Sequence, residues 1–330
     1  MTDITLDPSK GQTLEKWAKA IPSDAGIVRL APGEHGRPLF TGRLKQTVQI
    51  VGPASGPPAI VRAATFRDTA RWLFRRILFQ AAGVVGPNNF QAVVDTDTLS
   101  SDLTFGSTSK AYGCAFKACD DIGVLSVADR LALPHTLVRL RGRNMVVAFS
   151  RLHDCRNAIA LLGPNCRAED NIIERFTVDG IDMGGSGQRV LRNLIRDGRH
   201  FPEELLHADA IQHLDVAAND SIVADNIIEP SPFADYLQGI TGFDGHWSGV
   251  QVLRNKVAPC NAYHGITLMG ADGVTIEDNT VTHDGSKVVP WIQVTASKDG
   301  RASTAVTCRG NTAPRMLIDR PASLSANTLA

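Results

Sequence analysis

The chain has 330 residues, of which 43% are hydrophobic, and its 34 Lys and Arg residues balance 34 Asp and Glu residues. This composition is that of a folded chain with a sizeable core and not that of a disordered one. A net charge of zero provides no global field that attracts nucleic acid or an acidic membrane, so neither is an expected partner.

Residues 1–24 predict an N-terminal arm with a short capping helix. No apolar stretch of signal-peptide length follows Met1, so we expect no cleaved leader. Four apolar residues within 12–21 share one helical face, Leu14, Trp17, Ala18 and Ile21. Such a helix suits a cap over the first turn of a larger domain, and residues 25–330 are assigned to that single domain.

Two short patterns alternate along the rest of the chain. In the first, an Ile opens a short strand, at Ile159, Ile181, Ile211, Ile240, Ile266 and Ile292. In the second, a segment with the pattern apolar-x-apolar-x-x-Asn ends at Asn171, Asn193, Asn226, Asn255, Asn279 and Asn311. The Ile residues are 22 to 30 residues apart, and because one such repeat cannot bury its apolar face alone, the repeats must stack.

Coils of this length with an Asn at one corner predict an all-β fold, a right-handed, single-stranded parallel β-helix. The Asn side chain is expected to hydrogen-bond backbone groups of the next coil at the bend. The sequence resembles the pectin-lyase-like β-helix family, firmly over residues 140–315 and more weakly over 27–135. Residues 323–329 also have the pattern of a coil, so we expect the open end of the stack to be covered by another copy of the chain or by another protein.

The residues on either side of each Ile are expected to face outward. Strict alternation predicts a polar ladder formed by Asp182, Gln212, Thr241, Thr267 and Gln293. On the other side it predicts a row of small residues that ends in an aromatic one, Gly180, Ala210, Gly239, Gly265 and Trp291. This row indicates either a shallow trough in which Trp291 stacks on a sugar ring, or a relief of crowding beside a bend.

Asp179 and Asp209 are the sharpest candidates for chemistry. They occupy equivalent positions on successive coils, so their carboxyl groups are expected about 5 Å apart. Like charges at that distance cannot both ionise easily, and the one with the raised pKa would serve as a general acid in glycoside hydrolysis. Asp182 joins this set. An Asp before a Gly also commonly hydrogen-bonds the backbone of a turn, and that structural role stays open.

Longer segments between each Asn and the next Ile bring further polar and aromatic residues to one corner of the stack. Loops on a rigid scaffold often carry function, and this lining suits an extended polar polymer such as a polysaccharide. His207 is placed in the catalytic set. The candidate substrate-binding residues are Gln212, Arg199, Tyr236, Trp247, His264 and Trp291, with Trp247 on the opposite rim.

Part of the sequence is similar to polygalacturonase-type glycosidases. TVDGID at 177–182 resembles that family's N-T-D-G-x-D segment, HADAIQ at 207–212 partly matches its D-D pair, and YHGI at 263–266 partly matches its G-H-G. The resemblance implies acid and base roles for Asp179 and Asp209. The chain departs from the family in having one Asp in the second segment, an extra coil before His264 and no R-I-K triplet.

Other functions are compatible with the same scaffold. A polysaccharide lyase or epimerase would use Arg199 or Lys287 as its base and could hold Ca²⁺ with Asp179, Glu203 and Asp209. No cofactor or metal is predicted for the favoured hydrolase.

Bacteriophage tailspikes and related virion fibres also resemble this chain, because they are β-helices without leaders and bind bacterial surface glycans. That resemblance favours a virion or other extracellular particle over the cytoplasm, and it adds a non-catalytic receptor-binding or structural role to the alternatives. The leading expectation is a β-helix protein that binds and cleaves a bacterial surface or other acidic glycan.

Overall fold

The computed structural model describes residues 3–81, 92–204, 206–214, 218–232, 236–243, 245–319 and 321–330. Most regular structure in these ranges is parallel β-strand, and the chain passes through three strands in each coil. The predicted all-β parallel β-helix is confirmed. Within the same ranges, no helix has the length and apolarity that a membrane-spanning segment needs.

Three sheets run along the stack. Sheet 1 contains the strands Ala92–Thr96, Thr136–Leu140, Asn157–Leu161, Asp179–Met183, Asp209–His213, Gln238–Gly242, His264–Met269, Trp291–Thr295 and Arg315–Ile318. Sheet 2 contains Asp3–Leu6, Ile27–Leu30, Ser101–Gly106, Val146–Ala148, Arg167–Glu169, Arg189–Leu191, Ile222–Ala224, Gln251–Leu253, Thr275–Glu277, Val306–Arg309 and Pro321–Ser325. Sheet 3 contains Gly33–Glu34, Ala59–Val61, Ile77–Gln80, Ala115–Lys117, Arg151–Cys155, Ile172–Phe176, Leu194–Arg196, Ile227–Ile228, Lys256–Val257, Thr280–Val281, Thr312–Ala313 and Thr328–Leu329.

The remaining elements connect or extend these sheets. The long strands Leu39–Val51 and Ala64–Arg75 run through sheets 1 and 2 and join them. A small fourth sheet contains Ala218–Asn219, Trp247–Ser248 and Ala271–Asp272. The helices are Leu14–Trp17 and Val127–Leu131, and the 3₁₀ turns are Pro8–Lys10, Lys110–Tyr112, Ile122–Val124 and Pro202–Glu204.

The N-terminal helix is shorter than the pattern over 12–21 predicts. It spans only Leu14–Trp17, and it connects the strand Asp3–Leu6 to Ile27–Leu30, with which that strand pairs. Leu14, Ala18 and Ile21 are buried as expected, whereas Trp17 is 36% exposed. The reason is that a single helical turn cannot hold all four residues on one face.

The last coil is present where the sequence predicts it, as the strands Pro321–Ser325 and Thr328–Leu329. Its apolar side chains are exposed, 55% for Leu324 and 71% for Leu329. A partner at this end stays a prediction of the sequence.

Aliphatic and aromatic side chains fill the interior. The six repeated Ile residues are completely buried, which confirms their inward orientation. The earlier coils carry phenylalanines instead: Phe40 stacks on Phe66 at 4.7 Å between ring centroids, and Phe79 stacks on Phe116 at 5.0 Å. Stacked coils thus place like side chains on one another, which maximises contact in the core.

A ladder of buried Asn residues holds the corner between sheets 2 and 3. In Asn226, Oδ1 accepts hydrogen bonds from the backbone N–H of Asn193 at 2.9 Å and from its Nδ2 at 3.0 Å. Asn226 Nδ2 donates to Val190 O and to Asn255 Oδ1, both at 2.9 Å. The same pattern recurs from Asn171 to Asn327, so the predicted corner bonds are confirmed and extend one coil further.

Asn226→Ala is expected to lower the free energy of unfolding by about 2–4 kcal/mol, because it leaves buried donors and acceptors in two neighbouring coils without partners. Urea denaturation measures this change. Asn219→Ala is the matched control, since Asn219 is exposed, and it should cost little. Equal effects of the two substitutions would show that the ladder does not carry this stability.

His213 is an unusual member of the interior. It lies in register with Met183 and Gly242 on sheet 1, is 2% exposed, and neither ring nitrogen has a hydrogen-bond partner in the described part of the chain. Burial lowers the pKa of His213 to about 4. Folded His213 therefore stays neutral at pH values where an unfolded His is already protonated, and acid weakens the fold.

His213→Met should remove this sensitivity. Because the folded pKa is depressed, the wild type loses stability at this site as pH falls from about 6.5 to about 4, at roughly 1.4 kcal/mol per pH unit. Urea denaturation measures the free energy of unfolding of both proteins at pH 7 and pH 5. The value for the Met variant minus that for wild type should be larger at pH 5 than at pH 7. A difference that does not change with pH would contradict a neutral buried His213.

Candidate functional site

Two rows of side chains face outward from sheet 1. Outer row 1 contains the residue two positions before each inward Ile: Asn157, Asp179, Asp209, Gln238 and His264, with Trp291 paired directly to His264. Outer row 2 contains the residue after each Ile: Ala160, Asp182, Gln212, Thr241, Thr267 and Gln293. The predicted polar ladder is therefore present as outer row 2, and Gln212 lies in it between Asp182 and Thr241.

The predicted row of small residues does not form an outer trough. Ala210 is completely buried, a Cβ on Gly239 would collide with Val257 of the core, and one on Gly265 would lie 2.5 Å from Val281 Cγ1. These residues sit at the bend from sheet 3 into sheet 1, where strict alternation fails and the residue before the Ile also faces inward. Trp291 does face outward, because a register shift after His264 leaves Gly265 without a partner in the next strand.

Asp179, Asp182 and Asp209 form one buried group, here called the carboxyl cluster. They are 6%, 5% and 1% exposed. Asp179 and Asp209 are in register on adjacent strands, and the backbone N–H of Asp209 donates to Asp179 Oδ1 at 3.2 Å. Three of the four residues predicted to be catalytic thus lie together, and their catalytic roles stay a prediction.

Neutral side chains fix the orientation of the carboxyl cluster. Asn157 Nδ2 donates to Asp182 Oδ2 at 2.9 Å and to Asp179 Oδ2 at 3.3 Å. Thr241 Oγ1 donates to Asp209 Oδ1 at 2.8 Å. The sequence shows Asn157 only as the start of a repeat, and its role emerges from the register of the preceding coil.

The carboxyl cluster holds protons near neutral pH. Burial raises the pKa of Asp179 well above its ordinary value, and the nearby charges of Asp182 and Asp209 raise it further. Burial also raises the pKa of Asp182 to about 6, against hydrogen bonds from Asn157 and Asp179, and that of Asp209 to about 7, against the bond from Thr241. Burial and the two neighbouring carboxyl groups thus favour the protonated form of Asp179.

Several buried oxygen atoms in and around the carboxyl cluster accept no hydrogen bond from the described residues. Asp182 Oδ1, Asp209 Oδ2, Asn157 Oδ1 and Gln238 Oε1 are buried and have no hydrogen-bond partner among the described residues. Unpaired buried acceptors are costly, and they are commonly satisfied by water or by a ligand. Four such oxygen atoms lie close together on the two outer rows.

Tyr236 and His207 border the carboxyl cluster. Gln238 Nε2 donates to Tyr236 Oη at 2.7 Å and lies 3.4 Å from His207 Nδ1. Tyr236 is partly buried, and burial together with the charge of Asp209 raises its pKa. His207 is exposed. The two residues therefore lie beside Gln238 at the edge of the carboxyl cluster.

An aromatic surface continues outer row 1. The Tyr263 ring stacks on Trp291 with centroids 4.9 Å apart and an interplanar angle of 15°, and Tyr263 is 47% exposed. Trp291 Nε1 donates to Thr267 Oγ1 at 3.1 Å, and Thr267 Oγ1 lies 3.0 Å from His264 Nδ1. Burial lowers the pKa of His264 to about 4, so its ring is neutral near pH 7 while Nδ1 shares a hydrogen bond with the Thr267 hydroxyl.

Two predicted substrate-binding residues lie elsewhere. Trp247 is 1% exposed and packs in the interior against His213, at 4.5 Å between ring centroids, in space that Gly242 leaves open. The Arg199 side chain is directed toward Asp121 of an earlier coil, with Nη1 3.6 Å from Asp121 Oδ1. Both predictions rest on loop position alone, which does not show the direction of a side chain.

A buried ion pair fixes the loop that leads to Asp209. Arg130, in the helix Val127–Leu131, is 3% exposed; its Nε donates to Glu204 Oε1 at 2.6 Å, and its guanidinium lies 3.5 Å from the Phe201 ring centroid. Arg130 and Glu204 are 74 residues apart, so no local pattern predicts the contact.

Across the described ranges, no group of three or more His, Cys, Asp or Glu side chains is arranged to hold a metal ion. The sequence suggests Asp179, Asp209 and Glu203 as Ca²⁺ ligands if the protein is a lyase. Asp179 and Asp209 lie in the carboxyl cluster, whereas Glu203 Oε1 lies 3.3 Å from Arg130 Nη2.

Asp209→Asn is expected to raise the free energy of unfolding at pH 8 by about 1–3 kcal/mol. A carboxyl group with a raised folded pKa stabilises the fold at low pH, and this contribution is lost as pH rises through about 7. Urea denaturation at pH 5 and pH 8 measures the effect. Asp225→Asn is the control, because the pKa of Asp225 is lowered by Arg254, and a gain in stability there or none at Asp209 would contradict this account.

Comparisons with known proteins add the fold relationship. A scan against family models and a search of curated proteins gave no match. Among solved structures, DFA-IIIase from Arthrobacter chlorophenolicus A6 without its lid, in complex with GF2, matches with a TM-score of 0.59 and 11% identity over 99% of this chain and 94% of that one.

Pectate lyase Pel9A matches with a TM-score of 0.54 and 12% identity over 95% of this chain and 79% of that one. A mannuronic acid specific polysaccharide family 6 lyase from human gut microbiota matches with a TM-score of 0.52 and 12% identity over 97% and 83%. The chain shares the parallel β-helix fold of these enzymes.

Proposed function

We propose that this protein hydrolyses a glycosidic bond in a saccharide bound along sheet 1. The observation that carries the proposal is the carboxyl cluster, in which three buried Asp residues meet unpaired acceptors on a rigid sheet. A pair of carboxyl groups with different proton affinities is what glycoside hydrolysis requires.

Asp179 is assigned as general acid and Asp209 as its catalytic partner. Asp179 gives its proton to the glycosidic oxygen as the bond to the anomeric carbon breaks, and a water molecule supplies the hydroxyl and the proton that restore sugar and enzyme. Neighbouring strands are about 4.8 Å apart, so the in-register pair favours the short carboxyl separation of about 5–5.5 Å typical of retaining enzymes. Asp209 is then the nucleophile: in its ionised form it bonds to the anomeric carbon as the glycosidic bond breaks. Water, which gives its proton to the deprotonated Asp179, then attacks that carbon and releases Asp209 as a carboxylate. Asp182 tunes the proton on Asp179.

The remaining outer-row residues are assigned to saccharide binding. Gln238, Tyr236 and His207 offer hydrogen bonds beside Asp209. Tyr263 presents an exposed ring two coils further on, and sugar rings commonly stack on such a surface. His264, Thr267 and Trp291 hold that ring in place through their mutual contacts.

The structural neighbours support a saccharide substrate without selecting one. Their names are DFA-IIIase, pectate lyase and a mannuronic acid specific polysaccharide lyase, so they refer to different saccharides. None of these three is named as a virion protein, so the virion setting and a C-terminal partner remain predictions of the sequence. A bacterial surface glycan likewise remains a proposal.

Asp179→Asn and Asp209→Asn should each lower turnover by at least about 100-fold. The first removes the carboxyl group that donates the proton, and the second removes the carboxylate that attacks the anomeric carbon. The assay follows new reducing ends and the absorbance of unsaturated ends on DFA-III, polygalacturonate, alginate and bacterial capsular polysaccharides. Asp225→Asn, a corner carboxylate paired with Arg254, should leave turnover unchanged.

Unsaturated ends in this assay would assign the chemistry to a lyase instead. Full activity in both Asp variants would show that the carboxyl cluster is structural. Binding without cleavage across the panel would favour the non-catalytic glycan-binding role.

A further inference from the structure

Arginines on the corner between sheets 2 and 3 are paired with carboxylates of the preceding coil. The residue before each ladder Asn has a positive φ and points outward from this corner, as in Asp170, Arg192, Asp225, Arg254 and Asp278. Arg192 Nε and Nη2 donate to Asp170 at 2.9 and 2.8 Å, and Arg254 Nε and Nη2 donate to Asp225 at 2.8 Å each. Two-pronged pairing of this kind neutralises the guanidinium charge.

Arg75 and Arg76, here called the corner arginine pair, break this rule. They follow one another at the same corner in an earlier coil, where Arg76 has a φ of 54°. In the described part of the chain neither forms an ion pair, and the Nε atom of each is buried without a hydrogen-bond partner. Two adjacent positive charges with unsatisfied donors are therefore held at one place, which is unfavourable unless an anion joins them.

Among the described residues, the Tyr112 ring makes cation–π contacts with both members of the corner arginine pair. Tyr112 ends the 3₁₀ turn Lys110–Tyr112, is 41% exposed, and has the guanidinium carbons of both Arg75 and Arg76 at 5.4 Å from its centroid. A cation–π contact attracts the charge but accepts none of the five N–H donors of a guanidinium. The pair is thus oriented by Tyr112 and is left with free hydrogen-bonding capacity.

Each arginine also lines a cavity. Arg75 borders one of about 490 Å³ together with Thr104, Ser107 and Thr108, and Arg76 borders one of about 430 Å³. Asp170 lines both cavities but is already bound by Arg192, and Glu169 lies 3.2 Å from Arg167. Each cavity therefore combines open space with an arginine that has no ion pair among the described residues, and the cavity beside Arg75 adds hydroxyl groups.

We propose that Arg75, Arg76 and Tyr112 form a binding site for an oxyanion, a sulfate or phosphate group that is either free or carried by a saccharide. The planar guanidinium presents paired N–H donors that match such a group, and the hydroxyl groups near Arg75 add further donors. This site lies at the corner of sheets 2 and 3 and does not use the carboxyl cluster of sheet 1, so it is independent of the proposed hydrolysis.

The test compares wild type with the Arg75→Gln/Arg76→Gln variant, and with Arg254→Gln as a matched control on the same corner. Binding of inorganic sulfate and of inorganic phosphate is measured by titration calorimetry at constant ionic strength, and binding of dextran sulfate is compared with that of uncharged dextran. Wild type and Arg254→Gln should bind the anion alike, and the double variant should bind about tenfold or more weakly.

The arms separate the two sources of the anion. Binding of the free ions assigns the site to a small anion, whereas binding of dextran sulfate alone assigns it to a charged saccharide. Absence of binding by wild type in every arm, or undiminished binding by the double variant, would overturn the proposal. Circular dichroism verifies folding, and if the double variant is unfolded, Arg76→Lys, which keeps the charge but loses the paired donors, takes its place.

Discussion

Coil-to-coil register is the constraint on which the rest of this structure depends. Parallel pairing places equivalent residues of successive coils about 4.8 Å apart, so any residue type that recurs in the repeat is stacked on itself. Ile stacking fills the core, and Asn stacking satisfies the corner with side-chain and backbone bonds that run through many coils. The same register forces Asp179 and Asp209 together, although two buried carboxylates repel each other.

The scaffold can hold this unfavourable group because its stability lies elsewhere. The Asn ladder and the Ile core run the length of the repeat, whereas the carboxyl cluster occupies two coils on one outer face. Raised pKa values are the direct result, since burial and mutual repulsion both favour the neutral acid. A buried carboxyl group that a rigid frame holds with a raised pKa is the kind of proton donor that the proposed hydrolysis needs.

The sequence predicts the parts of this architecture that depend on short-range pattern. The Ile and Asn series, and the meeting of Asp179 with Asp209, follow from a repeat length and a register alone. The prediction that Gly239 and Gly265 face outward is wrong. A bend breaks the two-residue alternation at the start of the strand, and both glycines face the core. Trp247 and Arg130 depend on contacts between distant segments, with His213 and with Glu204, and no local pattern reports such contacts.

The central claim is that the carboxyl cluster is where a saccharide binds, and a crystal structure of the Asp209→Asn variant soaked with an oligosaccharide from an active panel member tests it most directly. We expect sugar density over sheet 1, with hydroxyl groups within hydrogen-bond distance of Asp182 Oδ1 and Gln238 Oε1, the acceptors now without partners. A sugar ring should also lie near Tyr263. Density confined to another face, with ordered water satisfying both acceptors, would contradict the account.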